Sequence, residues 1–367
     1  MTVELRKLRK EFDVPGGTEV AVNSIDLSIG EDEFVTLVGP SGCGKSTTLR
    51  CIAGLETPTS GEIIIDGEDM TDVPPHKRGL AMMFQDIALY PHMTIRENIA
   101  YPLKVRGIDK ETRAEEAREA AEIMRISELL DKFPAELSGG QRQRAALART
   151  IVYNPKSFLM DEPLSDLDAK LKVAIRKEIQ RVHSRVNSPT IYVTHDQSEA
   201  LSMSDRVAIM NDGNILSVDT PDNVYHYPEN RFVASFIGNP SMNFVDATID
   251  AADGETVAVT FQGTTIELDA TDVEPEGDTA IVGFRPEAIT LHHDSSEGYF
   301  DGRLELVERI GDRKLATIDG PKGEVRAIAS PDVTLQEGER VSVSFPPEKA
   351  HVFDGATEQA IARGNNT

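Results

Sequence analysis

One short stretch of this chain could hold a phosphate group. Gly39-Pro40-Ser41-Gly42-Cys43-Gly44-Lys45-Ser46-Thr47 fits the pattern G-x-x-x-x-G-K-[ST]. Glycines let backbone N–H groups turn inward, and a helix N-terminus adds partial positive charge, so the stretch can form an anion site. Lys45 would reach the β/γ-phosphates and the Ser46 hydroxyl a Mg²⁺ ion. The alternative is a glycine-rich turn that matches by chance, and the flanks weigh against it. Phe34–Val38 reads as a buried strand, and residues 46–53 read as a helix that Gly54 stops.

Other chemistry-bearing residues sit where predicted elements begin or end. Ser138 can cap a helix whose apolar stripe includes Ala145, Ala148 and Ile151; with Gly139, Gly140 and Gln141 it forms either a second anion-binding helix N-terminus or an ordinary helix start. The apolar run 157–160 delivers Asp161-Glu162 at its end. Adjacent carboxylates there are costly as mere structure and natural beside a bound cation. His195 follows the buried run Thr190–Thr194; a lone histidine is usually a surface residue, but this one ends a strand beside the other groups. Phe12, just before the Pro15-Gly16-Gly17 turn, is a core residue or an aromatic face for a base, and the residues alone favour core.

The surrounding elements are legible from periodicity. Alternation over the first thirty residues suits antiparallel strands with one face in water. Residues 61–67 read as a strand ending in an Asp-Gly turn, and 81–84 as a short apolar run leading to Gln85. The stretch 90–107 is rich in Pro, Tyr and Met without a clean period, a surface that packs internally or docks a partner. Residues 109–124 and 167–186 are helical, residues 207–218 form a closing hairpin, and short helices lie near Asp222 and Arg231. Past Gly238-Asn239-Pro240, short strand-like runs separated by turns argue a small β-barrel or sandwich, and the last stretch, 356–367, reads as a polar, frayed tail.

Composition narrows the class. At 367 residues the chain has room for two domains. Lys and Arg number 38 against 62 Asp and Glu, a net charge of −24 that argues against nucleic acid and anionic membrane surfaces as direct partners. Arg outnumbers Lys, and an excess of acid this large is expected of a protein from a high-salt cytoplasm, where screening offsets self-repulsion. Cys43 and Cys51 would lie roughly 12 Å apart along a helix, too far for a disulfide, so they read as buried thiols in a reducing compartment. No run approaches the roughly 20 apolar residues of a membrane span, and residues 1–10 are too charged for a signal peptide.

Order, spacing and local structure of these motifs resemble the ATP-binding-cassette (ABC) transporter ATPases, over the whole chain and with most specificity over residues 3–235. The resemblance implies an α/β P-loop NTPase cassette at 1–236, with a parallel core sheet, an antiparallel β subdomain and a helical subdomain at about 89–154. A small all-β domain like an oligonucleotide/oligosaccharide-binding (OB) fold would follow at 237–355. By position, Lys45 and the backbone of Gly39, Ser41, Gly42, Cys43, Gly44, Ser46 and Thr47 would hold ATP, and Phe12 would stack on adenine, against the core reading. Ser46, Asp161 and Gln85 would serve Mg²⁺, Glu162 would be general base or orient the water, and His195 would contact the γ-phosphate. Ser138, Gly139, Gly140 and Gln141 look like the signature that completes the site of a second subunit. Residues 165–168 resemble the loop at the dimer centre, with Asp166 where Asn or Ala is commoner.

The turn Gly283-Phe284-Arg285-Pro286-Glu287 and the segments 90–95 and 98–99 resemble the accessory domain and permease-docking surface of maltose-type carbohydrate importers, among which xylose/arabinose importers of halophiles look similar. Membership implies an ATP-driven dimer, homodimer or paralogue pair, on the cytoplasmic face of the membrane, with two permease subunits, an external solute-binding protein and no nucleic acid. The alternatives are polyamine, iron, sulfate or glycerol-3-phosphate importers, or a soluble ATP-dependent dimer switch.

Overall fold

The computed structural model describes residues 1–85, 88–152, 155–165, 167–186, 188–293 and 298–364. They divide into two compact units, Met1–Pro221 and Asp222–Thr367. Asp166 lies outside the described residues.

The first unit opens with the expected alternating strands, β1 (Val3–Val14) and β2 (Gly17–Ile29), then β3 (Phe34–Val38), all five residues of which are buried. Helix α1 (Lys45–Ala53) starts on the phosphate-type loop and stops at Gly54, which takes the left-handed conformation that ends helices. Arg78 reinforces that end. Its guanidinium, 2% exposed, donates to the Cys51 and Ile52 carbonyls at 2.8 Å each, where the helix leaves acceptors unpaired. Strands β4 (Ser60–Ile65) and β5 (Glu68–Asp69) join β1 and β2 in an antiparallel sheet of order β2-β1-β4-β5.

Strand β6 (Leu80–Met83) precedes a helical arm of α2 (Ile95–Val105), α3 (Lys110–Ile123) and α4 (Gly139–Ile151). The stretch 90–107, expected to lack a clean period, thus contains a helix. Ile95, Ile99 and Leu103 form its buried stripe, which the internal Pro102 obscures in the sequence. Its start is signed by a capping box, Thr94 with Glu97. The chain then runs through β7 (Ser157–Asp161), α5 (Ala169–Val186), β8 (Thr190–Thr194), α6 (Gln197–Met203), β9 (Arg206–Asn211) and β10 (Asn214–Asp219). The core sheet has order β10-β9-β3-β8-β7-β6, parallel except for the closing β9–β10 hairpin. Cys43 and Cys51 are buried, free thiols, and burial pushes Cys51 up to about 11.

The second unit carries α7 (Pro221–His226) and α8 (Arg231–Phe236) with an all-β body, so it begins ahead of the boundary expected at 236. Strands β11 (Asn243–Ala252), β12 (Thr256–Phe261), β13 (Thr264–Ala270) and β14 (Thr279–Phe284) belong to a closed barrel, and β15 (Thr290–His292) opens a second sheet. That sheet continues with β16 (Phe300–Ile310), β17 (Arg313–Gly320), β18 (Gly323–Ala329) and β19 (Arg340–Ser344). Strands β20 (Ala350–Asp354) and β21 (Ala360–Arg363) return to the barrel, ordered β11-β12-β13-β21-β20-β14. The expectation of a frayed tail at 356–367 is therefore corrected: Ala360, Ile361 and Ala362 are buried and close the barrel, and residues 365–367 lie outside the described residues.

His351 on β20 is 4% exposed, and burial, with Arg285, Arg363 and His226 nearby, pushes its pKa down to about 3. An imidazole held neutral in the fold and protonated when unfolded makes stability rise with pH between the two values, so it is complete above about pH 6.5 and is lost as pH falls towards 3. We expect His351→Phe to flatten acid unfolding of this unit by up to about 1.4 kcal/mol per pH unit in that window. Urea denaturation at pH 4, 5 and 7 checks this, and parallel pH profiles for variant and parent would refute it.

Candidate nucleotide site

Parallel registers bring the sequence-predicted groups to one edge of the core sheet. Val38 pairs with Thr194, Asp161 with Val193 and Met83 with Met160, so Gly39, His195, Asp161-Glu162 and Gln85 all leave the sheet at its carboxyl end.

The loop from Gly39 to Gly44 wraps the Lys45 side chain. Nζ donates to the Gly39 and Pro40 carbonyls at 2.9 and 2.8 Å and lies 3.6 Å from Cys43 Sγ. Cys43 is buried and its thiol is pushed up by burial, with Lys45 opposing, so it acts as packing. Gly44 at φ +102° begins α1, and a Cβ there would stand 2.2 Å from the Ala21 carbonyl oxygen on β2; only glycine lets this strand approach so closely. Ser41 and Gly42 are exposed, Thr47 half-buried.

Ser46 Oγ donates to Asp161 Oδ1 at 2.8 Å. Burial raises the Asp161 pKa, partly offset by this hydrogen bond. A hydroxyl and a half-buried carboxylate are hard oxygen donors that fit Mg²⁺. Among the described residues no cluster of three or more His, Cys, Asp or Glu forms a metal cage. That suits an ion which keeps water and substrate phosphates as its remaining ligands.

Glu162 takes φ +43°, a left-handed conformation sparsely populated by residues with a side chain. Its own N–H donates to Val193 at 2.9 Å, and the Ser165 N–H and hydroxyl both donate to its carbonyl, at 3.3 and 3.1 Å. This backbone bend brings Oε2 within 3.0 Å of His195 Nδ1. His195 is held from both sides. The Asp196 N–H donates to Thr194 Oγ1 at 3.0 Å, Thr194 Oγ1 donates to the buried Glu199 at 2.8 Å, and Asp196 caps α6.

The other predicted residues lie apart from this cluster. Gln85 is exposed, two residues past β6. Phe12 is half-buried near the tip of the β1–β2 hairpin, absent from the core, with Lys10 Nζ 4.7 Å from its ring centroid; the core reading of this residue is corrected. Ser138 caps α4 reciprocally with Gln141, at 3.0 and 3.4 Å, with Gly139 and Gly140 inside the first turn. Among the described residues no hydrogen bond joins 138–141 to the loop at 39–47. A Cβ on Gly140 would meet Leu171 of α5 at 2.5 Å, which fixes the close packing of the two helices.

Comparison with known proteins gives the family. A family model described as "ABC transporter" matches residues 22–165, and the MalK OB fold domain and TOBE domain models match 238–289 and 282–353. The maltose/maltodextrin import ATP-binding protein MalK of Yersinia pestis is 43% identical over 356 residues, 96% of this chain and 95% of that protein. The chain belongs to the ABC transporter ATPases.

Within the family, this ATPase carries the OB and TOBE extension of the maltose/sugar importer branch. The sn-glycerol-3-phosphate import protein UgpC 2 of Agrobacterium fabrum is 42% identical to it, over 98% of this chain and 94% of that one. A dimeric ATP-binding cassette, solved in a post-hydrolysis state bound to ADP and Pi, covers 60% of this ATPase with 98% of its own chain, at TM-score 0.54 and 30% identity.

Gln143 and Asn98 make buried hydrogen bonds that residue type did not reveal, although the segment 98–99 was expected on the permease-docking surface. Gln143 on α4, 2% exposed, donates to the Pro163 carbonyl directly after Glu162, tying the helical arm to the end of β7. Asn98 on α2, fully buried, accepts from the Tyr90 N–H at 2.7 Å and donates to the Tyr90, Met93 and Thr94 carbonyls. Its position four residues after the Thr94 cap was the available signal.

Proposed function

We propose that this ATPase drives a carbohydrate importer, closing around ATP as a dimer at the cytoplasmic face of the membrane beneath two permease subunits fed by an external solute-binding protein. The single observation that carries the chemistry is the Glu162–His195 pair beside the Lys45 loop and the Ser46–Asp161 pair, five residues on one sheet edge. Phosphoryl transfer is mostly positioning and charge neutralisation. A γ-phosphate entering the loop gives Lys45 a charge-assisted partner in place of two neutral carbonyls. Glu162 is the base that accepts the proton of the attacking water, His195 holds that carboxylate and the γ-oxygens, and Gln85 orients the water. Ser46 and Asp161 hold Mg²⁺, which when bound neutralises phosphate charge. Phe12 offers a face for adenine, and Gly39, Ser41, Gly42, Cys43, Gly44 and Thr47 supply loop backbone. Ser138, Gly139, Gly140 and Gln141 bring the second anion site from the partner subunit.

Permease docking falls to the helical arm, where a cavity of about 230 Å³ between α2 and α3 is lined by Met93, Ala100, Tyr101 and Ala114, with charges at its rim. That lining suits the docking of one or two side chains from a partner helix. A pentose is our preferred solute, and the net charge of −24 supports a high-salt cytoplasm. Glycerol-3-phosphate is the second reading, favoured by the 42% identity to UgpC 2. Affinity purification from solubilised membranes, followed by growth of a deletion strain on sugars and on glycerol-3-phosphate, tests the proposal. Recovery with integral permeases and loss of growth on a pentose are expected. A purely soluble complex, or unchanged growth on every sugar, overturns it.

A further inference from the structure

The second unit carries a half-open cavity of about 360 Å³ that none of the nucleotide chemistry uses. Its walls include Tyr225 and Tyr227, the RPE turn residues Arg285 and Glu287, and Lys349 and His351. Arg285 is 6% exposed, and its guanidinium donates only to carbonyls: Tyr225 at 2.7 Å, Ala234 at 3.2 Å and Ile237. Its Nε has no partner, and no carboxylate lies within ion-pair distance among the described residues. The lining carboxylate, Glu287, is engaged by the Tyr225 hydroxyl instead. Lys349 is exposed at the cavity and likewise has no ion pair among the described residues. His351 makes no side-chain hydrogen bond among the described residues, so its ring can offer one nitrogen as donor.

Carbonyls at the ends of two six-residue helices solvate the guanidinium but do not cancel its charge. With the Glu287 carboxylate in the same lining, these two cations leave one net positive charge facing the hollow, which favours an anionic group. The volume lies within the range of metabolite pockets, and the tyrosine rings give one wall an apolar face. We propose that this cavity binds a small phosphate-bearing metabolite, its phosphate held by Arg285, Lys349 and His351 and its carbon skeleton laid against Tyr225 and Tyr227. Inorganic phosphate offers the same charge without the skeleton. The site is independent of which solute is imported.

Because the loop at 39–47 also attracts phosphate, the experiment uses full-length Lys45→Ala protein, titrated calorimetrically with glucose 6-phosphate and with inorganic phosphate. Binding of glucose 6-phosphate is expected, with Lys349→Glu and His351→Phe in that background each raising Kd at least roughly tenfold. Lys349→Glu should leave the ligand-free melting temperature unchanged, which separates lost binding from lost folding. Sugar phosphate binding more tightly than phosphate means that the tyrosine wall reads the ring, whereas equal affinities mean a site for the anion alone. No binding of either ligand at about 10 mM, or an unaltered Kd in Lys349→Glu, overturns the proposal.

Discussion

Glu162→Gln should bind ATP within a few-fold of the parent yet hydrolyse it at least about a hundredfold more slowly. The substitution keeps the volume of the side chain and the backbone that aims it, since Glu162 is placed by its own main chain: the left-handed φ of +43° and the hydrogen bond to Val193 at 2.9 Å. What is lost is a proton acceptor 3.0 Å from His195 Nδ1. An amide cannot take the water's proton, and its NH₂ group turned towards His195 reverses the polarity of that contact. Lys45 and the loop glycines, the proposed phosphate site, make no hydrogen bond to Glu162 among the described residues. Phosphate release and equilibrium nucleotide binding, measured on the same preparation, separate the two effects. Turnover near that of the parent would remove Glu162 from the mechanism. A parallel loss of ATP affinity would show that the substitution had disturbed the loop instead.

The site was legible where chemistry and local geometry coincide. A glycine loop needs a strand before it and a helix after it, so β3 and α1 followed from one motif, and Gly54 marked the helix end to the residue. Buried parallel strands such as β7 and β8 are nearly all apolar and short, which makes their last residues conspicuous. Other features hid because their cause is not local. Helix α2 carries Pro102 in its interior, where the rest of the arm supports it against the propensity of the residue. Strand β21 is short and preceded by polar residues, and only the need to close the barrel between β13 and β20 makes it a strand. Phe12 looked apolar enough for core, but its hairpin extends past the sheet that would bury it. The positive φ of Glu162 could not be read from residue type, because nothing in a glutamate signals it.

The second large effect is expected at Ser138, and it shows only between chains. With Glu162→Gln in place, ATP should hold two copies together; adding Ser138→Arg should leave a nucleotide-bound monomer with ATP affinity little changed. The reasoning begins with the helix start. Ser138 and Gln141 cap α4 reciprocally, Gly139 places no side chain over the first turn, Gly140 packs buried against Leu171, and partial positive charge gathers at the helix start. Within one chain the α4 start has no hydrogen bond to the 39–47 loop among the described residues, and we expect it to serve the phosphate of the partner chain. Its coupling to chemistry is already built, because Gln143, one turn along α4, grips the Pro163 carbonyl next to Glu162. Closure of a partner on α4 would thus be transmitted to the base that needs it. An arginine at 138 also removes the cap, which costs about 1 kcal/mol, so Ser138→Ala in the same background is the control for stability alone. Analytical ultracentrifugation with and without ATP reads the result: dimer for Glu162→Gln and for its Ser138→Ala derivative, monomer for its Ser138→Arg derivative. An ATP-dependent dimer that survives Ser138→Arg would mean that the α4 N-terminus faces something other than the partner's nucleotide.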